Sequence, residues 1–235
     1  MLNTNPSDKQ LAYVKQWLME EYEKSQAGFY CNWSTIEKSY RNNEYTVFEL
    51  EGESIGFVVW TNNGYYAEID IMEMHPAYRN RGLGKVFYER MEGYFRSENF
   101  IAIKLFCAPE ESEPFWQRMD FVQFPDRGYT EPALMYYKTI VANNLATNFE
   151  LRDKLELWNS EPITMQKGKS ATWTWEIKEN QLPIVQPCNP NWNLRLTRDG
   201  KMVREEKVKY FFPQRNVNID PFLYIEAATL RDAEG

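Results

Sequence analysis

His75-Pro76-Ala77-Tyr78-Arg79-Asn80-Arg81-Gly82-Leu83-Gly84-Lys85 is the stretch on which the reading of this chain turns. An apolar run, Ile69 to Met74, leads into it, and apolar residues follow at Phe87, Met91, Tyr94 and Phe95. The first pattern is a strand and the second is the buried stripe of a helix. Between them lies a basic turn punctuated by two glycines. Glycine lets the backbone approach a ligand closely, and the first turn of a helix carries N–H groups with no partner in the helix. The helix dipole and the two arginines add positive potential at the same place. Strand, turn and helix start thus make a phosphate-binding device. No Gly-x-x-x-x-Gly-Lys-Ser/Thr is present, which excludes a Walker P-loop.

Outward from this stretch, further features fall in a set order. A second apolar strand follows the helix at Ile101 to Cys107, and then Phe115-Trp116-Gln117-Arg118-Met119-Asp120-Phe121. The run Arg79-Asn80-Arg81-Gly82-Leu83-Gly84 resembles the acetyl-coenzyme A signature of the GNAT N-acetyltransferase superfamily, Arg/Gln-x-x-Gly-x-Gly/Ala. The later run resembles that family's Tyr-x-x-x-Gly-Phe helix-to-strand turn. The resemblance covers roughly residues 1–141, the first 60% of the chain. It implies a mixed, mostly antiparallel sheet with helices on both faces. It also implies that two central strands, here 65–74 and 101–107, splay apart to admit a pantetheine arm.

The order of elements agrees. Leu11, Val14, Leu18 and Tyr22 recur at helical spacing over residues 8–26, with Ser7 or Asp8 to cap the helix and Gly28 to end it. Ser34 with Glu37 three residues on is a capping-box pattern for a second helix over 34–42. Residues 45–50 and 54–61 read as a hairpin about Glu51-Gly52-Glu53, and Asn62-Asn63-Gly64 turns into a third strand. A short helix near 112–119 and strands near 121–124 and 133–140 complete this part. Residues 141–149 read as a linker, dividing a domain of residues 1–142 from a β-rich domain of residues 143–235. In the latter, strand-like runs appear at 150–158, 171–177, 191–197, 202–211 and 221–226, with turns such as Lys167-Gly168 and Asp199-Gly200 between them. That domain is about 90 residues, enough for its own core, and it resembles no family.

Composition bounds the rest. Hydrophobic content of 43% and aromatic content of 16% suit a packed core. No apolar run reaches about 18 residues, so none has transmembrane length. Met1 to Gln10 is polar, without the charged-then-apolar pattern of a secretion leader. Three widely spaced cysteines (Cys31, Cys107, Cys188) suit neither a disulfide scaffold nor a zinc site, and fit a reducing cytoplasm. The single histidine, His75, leaves no material for a histidine-based metal or relay site and reads as a turn residue. The net charge is −7, and all of it falls in residues 1–142, which hold 14 Lys+Arg against 21 Asp+Glu. An acidic half steers cations, and no basic stripe suggests nucleic acid.

The resemblance implies the site residue by residue. Backbone N–H groups of Arg81, Gly82, Leu83, Gly84 and Lys85 would bind the pyrophosphate of acetyl-coenzyme A, with Asn80 in the same turn and the Arg79 and Arg81 side chains adding charge. Met72, Glu73 and Met74 would face the pantetheine amides. Where the family carries a tyrosine that protonates the leaving thiolate, this chain has Trp116, whose indole N–H has no acidic proton to give. Either another group acts, or the thiolate leaves unassisted, or the domain binds acyl-coenzyme A without transferring. For the general base the central strand offers Glu73 and Asp70, with Glu68 behind. Simple alternation puts Glu68 and Asp70 on one face with Met72 and Met74, and Glu73 on the other; a bulge would reverse that parity. Cys107 is a buried thiol or an acyl carrier. Tyr30, Trp33, Tyr40, Trp60, Tyr65, Tyr66 and Tyr129 are core or pocket aromatics, Phe29 to Trp33 being the best placed for an acceptor.

The expected activity is transfer of an acetyl group from acetyl-coenzyme A to a primary amine, on a metabolite or a protein, by direct attack in a ternary complex. No metal, nucleic acid or membrane enters, and the C-terminal domain offers a surface for a homo-oligomer. The alternatives are a non-catalytic acyl-coenzyme A-binding regulatory module, or a protein that works by interaction through its C-terminal domain.

Overall fold

The computed structural model describes residues 1–128, 133–147, 149–164, 168–178, 182–211 and 220–226. Tyr129 and Lys167 lie outside them. Contacts divide the chain into Met1–Gln123 with Pro132–Val141, and Phe124–Glu131 with Ala142–Gly235.

The first unit runs β1 (Leu2–Asn3), α1 (Asp8–Ser25), α2 (Trp33–Arg41), β2 (Tyr45–Leu50), β3 (Glu53–Asn62), β4 (Tyr66–Met74), α3 (Leu83–Ser97), β5 (Ala102–Phe106), α4 (Glu113–Arg118), β6 (Val122–Gln123) and β7 (Met135–Thr139). The strands form one sheet in the order β1-β2-β3-β4-β5-β7-β6. Every pairing is antiparallel except β4 with β5. Two apolar cores cover the two faces. One takes Phe87, Tyr88, Met91 and Phe95 of α3. The other takes Leu11, Val14, Trp17 and Leu18 of α1 with Ile36 of α2. Phe87, Met91 and Phe95 are fully buried, each contributing about 2 kcal/mol by area, so the stripe read from the sequence is what clamps α3 to the sheet.

Capping departs from expectation in one place. Ser7 is the N-cap of α1, and Gln10 reaches back to its N–H at 2.8 Å. The capping box expected at Ser34 is absent. A 3-10 turn, Tyr30–Asn32, feeds straight into α2, so the helix begins at Trp33 and Ser34 lies inside it. At the other end of the unit, α4 closes with Phe121 N–H on Trp116 C=O and Asp120 N–H on Gln117 C=O, both at 3.1 Å. This Schellman geometry needs a left-handed residue, and Asp120 supplies it at φ 64°. Its ion pair with Lys138, at 3.7 Å, is loose and its side chain exposed, so the pair offsets little of the strain. Asp120→Gly should stabilise the protein by about 0.5–1 kcal/mol, a rise of roughly 1–4 °C in a melting scan.

The second unit holds a four-stranded antiparallel sheet in the order β12-β11-β8-β9 and a pair, β10 with β13. The strands are β8 (Lys154–Trp158), β9 (Trp173–Glu176), β10 (Ile184–Pro187), β11 (Asn193–Arg198), β12 (Lys201–Lys207) and β13 (Phe222–Ile225), with a helical turn α5 (Val208–Phe211). Leu155, Leu157, Trp175, Leu194, Leu196, Phe211 and Leu223 share its core. Residues 202–211 are not one strand. The carbonyls of Trp192 and Pro190 accept the N–H groups of Val208 and Lys209 and wind the chain into α5. Strand β10 escapes the sequence reading because Pro183 and Pro187 bracket it. The stretch read as a linker is hydrogen-bonded within this unit, Asn144 N–H to Pro183 C=O and Thr147 N–H to Thr174 C=O, both at 2.7 Å. Residues 124–128 join it through Arg127, whose buried guanidinium donates to Cys188 C=O at 2.9 Å and Asp220 at 2.7 Å.

Candidate active site

The central strands separate. Parallel pairing of β4 with β5 runs from Tyr66↔Ala102 to Ile69↔Leu105 and stops, although β4 continues to Met74. Past that point β5 stays with β7, through Phe106↔Met135 and Cys107 N–H on Leu134 C=O. The free edge of β4 from Asp70 onward borders a cavity of about 700 Å³, lined also by Phe29, Leu105, Phe106, Pro109 and Glu111. A second cavity, about 830 Å³, runs past Met74, Phe115 and Met119 to Asn80, Gly82, Gly84 and Lys85. Both are lined by Met72, Glu73, Arg79, Ser112 and Trp116, which therefore form a neck between them.

At the turn, Gly82 is the N-cap of α3 at φ 75°, a left-handed value that costs glycine nothing. The N–H groups of Gly82, Leu83, Gly84 and Lys85 meet no acceptor among the described residues. Arg81 is exposed, its guanidinium 5.5 Å from the Tyr78 ring, and Lys85 reaches only an exposed i,i+4 partner, Glu89, at 3.7 Å. An anion arriving here would meet four donors and two cations.

Arg79 is placed otherwise than the resemblance implies. Its guanidinium forks onto Glu21 of α1 at 2.6 and 2.9 Å, contacts Glu73 at 3.1 Å and donates from Nε to Met74 C=O at 2.9 Å. It is held inward, with no fork face left for a phosphate.

The strand parity is set by a bulge. Between the pairs Val59↔Ile71 and Trp60↔Ile69, β4 has one residue more than β3, and that residue is Asp70. Ala67 and Ile69 pack in the core under α3, as do Met72 and Met74, while Ile71 packs under α1 and α2. Simple alternation therefore fails at Asp70: Met72 and Met74 face α3, and Glu73 shares the opposite face with Glu68. Glu68 is paired with Lys104 at 3.1 Å. Asp70 accepts from the Thr61 hydroxyl at 2.8 Å, and burial lifts its carboxyl above the ordinary range against that bond. Burial lifts Glu73 as well, while the Arg79 guanidinium and the Met74 N–H, at 2.9 Å, hold it down and Glu21 pushes it up. Because Glu73 accepts it, the Met74 N–H is not open to an amide, leaving Met72 and the free edge for that role.

Trp116 is buried at the neck, edge-on to Tyr88 and Phe121. Cys107 is buried in the core, and burial pushes its thiol up to about 11, which suits an inert thiol better than an acyl carrier. His75 closes the turn by accepting the Ala77 N–H at 3.2 Å and packs edge-on to Trp17. Of the aromatics, Phe29 lines the first cavity, whereas Tyr30, Trp33 and Tyr40 pack on the α1–α2 core and Trp60 lies within the other. Among the described residues no cluster of three metal-binding side chains occurs, and no helix is long and apolar enough to cross a membrane. Sequence reasoning missed Glu21, Glu111 and Ser112, which belong to no motif that points to the site, and it quoted Phe115 only as the start of the helix-to-strand run without a role in the site.

Residues 9–121 match the family model described as the Acetyltransferase (GNAT) family. No curated protein matches the chain. Among solved structures it is similar to the PaiA N-acetyltransferase of Thermoplasma acidophilum in complex with coenzyme A, at 16% identity over 59% of this chain and 98% of that one, with a TM-score of 0.45. It is similar also to a GNAT family acetyltransferase of Brucella melitensis in complex with acetyl-CoA, at 10% identity over 60% and 88%, TM-score 0.46. A GNAT family acetyltransferase of Staphylococcus aureus gives 14% identity over 60% and 100%, TM-score 0.47. The strand, glycine turn and helix described above fall within the matched stretch, and it is residues 9–121, rather than the chain as a whole, that form a domain of the GNAT acetyltransferase family.

Proposed function

We propose that the first unit is an acetyl-CoA-dependent N-acetyltransferase that acts on a primary amine by direct attack in a ternary complex. The observation that carries this reading is the neck at Met72, Glu73, Arg79, Ser112 and Trp116, where the cavity from the glycine turn meets the cavity beside the splayed strands. Acetyl-CoA is the donor that the glycine-turn signature at Arg79 to Gly84 and the family match of residues 9–121 support. Its diphosphate would lie on the N–H groups of Gly82 to Lys85, with Asn80, Arg81 and Lys85 around it, and its pantetheine amides along the free edge of β4 at Met72. The thioester then reaches the neck.

The acceptor would come through the first cavity. Glu21, Asp70, Glu73 and Glu111 line it, and Arg79, the one cation among the described lining residues, is already paired. This lining suits a cationic amine. Glu73, lifted by burial and fixed at the neck, takes one proton from the ammonium; the freed nitrogen attacks the thioester carbonyl carbon, the C–S bond breaks with its electron pair leaving on sulfur, and the nitrogen gives up its second proton to solvent as the amide forms. Trp116 supplies no proton, so the thiolate is protonated from solvent. The three widely spaced cysteines fit a reducing cytoplasm as its setting.

Incubation with acetyl-CoA and a panel of amines, read by thiol release, tests the proposal. Turnover of at least one amine is the expected result. Coenzyme A binding with no turnover of any amine or peptide would instead favour the non-catalytic acyl-coenzyme A module that Trp116 raises. Glu111 has no ion-pair partner among the described residues. Glu111→Gln should therefore raise KM about five-fold for a diamine and leave that for acetyl-CoA unchanged, the loss of about 1 kcal/mol expected of an exposed charge pair.

A further inference from the structure

Arg79 opens the family's glycine-turn signature, yet every contact of its guanidinium is inward. The fork holds Glu21 on two bonds, Nε holds the Met74 carbonyl, and one terminal nitrogen lies 3.1 Å from Glu73. The side chains of Glu21 and Glu73 are only 11% and 18% exposed. A diphosphate could gain Arg79 only by stripping it from two half-sequestered carboxylates, leaving both without a counter-charge. Four unpartnered N–H groups, Arg81 and Lys85 already wait at the turn. The same geometry leaves the Glu73 carboxylate with one setting: Arg79 on one side, the Met74 N–H on the other.

We propose that Arg79 and Glu21 are positioning residues for Glu73: Glu21 anchors the guanidinium, and the anchored guanidinium aims the Glu73 carboxylate into the neck and sets its basicity. The assignment rests on the reading of Glu73 as the base. It gives α1, remote in sequence from the turn, a part in the chemistry. The charged groups that face Glu73 are Arg79 from the turn and Glu21 from α1; Asp70 and Glu111 line the same cavity. Their signs are opposed. Arg79 stabilises the ionised form of Glu73, and Glu21 destabilises it.

The test uses the full chain with Glu21→Gln, Arg79→Gln and Arg79→Lys. The Glu73 carboxyl is titrated by carbon NMR, assigned by its loss in Glu73→Gln, alongside the pH profile of kcat and calorimetry with coenzyme A. Removing the Glu21 charge should move the Glu73 titration, and the acidic limb of kcat, to lower pH. Removing the Arg79 charge should move both to higher pH, each by roughly 0.5–1 unit. Arg79→Lys keeps the charge and loses the fork, so kcat should fall with the limb nearly in place. Coenzyme A affinity should stay within about three-fold throughout. A ten-fold or greater loss of coenzyme A affinity in Arg79→Gln, with the Glu73 titration unmoved, would make Arg79 a phosphate ligand and overturn the proposal. Should Arg79→Gln not fold, the downward shift in Glu21→Gln decides alone, and its absence overturns the proposal. No turnover by the unaltered protein would sink the transfer reading; unmoved titrations with turnover intact would sink only this one.

Discussion

Gly84→Asp should abolish coenzyme A binding in a protein that still folds. A Cβ at Gly84 would meet Phe115 Cε2 at 3.7 Å and Met74 Cγ at 3.9 Å, ordinary contact distances. Gly84 also lies within α3, where an L side chain is unstrained, so the site accepts a side chain without moving the backbone. What it does not accept is the charge. A carboxylate in the first helical turn would stand where a phosphate has to sit, and two unit charges about 4 Å apart near a protein surface repel by about 4 kcal/mol. Calorimetry should show a loss of about a hundred-fold or more, with the melting temperature little changed and Gly84→Ala losing far less. Gly82→Asp should lose binding too, but there the left-handed backbone adds strain, so Gly84 separates charge from folding more cleanly. Unchanged affinity in Gly84→Asp would remove the turn from the cofactor site.

The second large effect is expected at Glu73. Glu73→Gln keeps the shape and an acceptor for the Met74 N–H, but removes the base. Acid–base catalysis by one positioned group is worth about 10²–10⁴-fold, so kcat should fall by about that much with coenzyme A affinity nearly unchanged. In the unaltered protein the sign of the pH dependence follows from which form works. Ionised Glu73 is the active form and burial raises its pKa. Activity should therefore rise with pH through a limb above the ordinary carboxylate range, and Glu73→Gln should lack that limb. A variant that keeps full activity would move the proton-accepting role elsewhere, with Asp70 next in line.

The sequence displays these two parts unequally. Turn and helix were legible because local chemistry dictates both: glycine at the left-handed position, cations beside it, and apolar residues one helical turn apart. The splay was legible only through the family resemblance, since nothing in Ile69 or Leu105 announces that pairing stops there. Glu21 could not be read at all. It is 58 residues from Arg79, on the polar side of an ordinary amphipathic helix, and only the packing of α1 against the sheet brings them together. In the second unit, alternation showed most strands, but it failed at β10, with Pro183 before it and Pro187 ending it, and at residues 208–211, where the carbonyls of Pro190 and Trp192, in the loop before β11, override strand propensity.

The extra residue in β4 has a consequence for how such a domain can change. Ile69 lies opposite Trp60 and Ile71 opposite Val59, with Asp70 unmatched between them, so a chain lacking Asp70 would pair these neighbours as an ordinary ladder and still hold Glu73 on the α1 side. Keeping the residue but flattening the bulge is what would turn Glu73 under α3 and bring Met72 and Met74 out beneath α1. Counting by twos along β4 therefore assigns a carboxylate beyond Asp70 to the wrong side of the sheet, whereas counting along the unbulged β3, where Phe57 stands opposite Glu73, assigns it correctly.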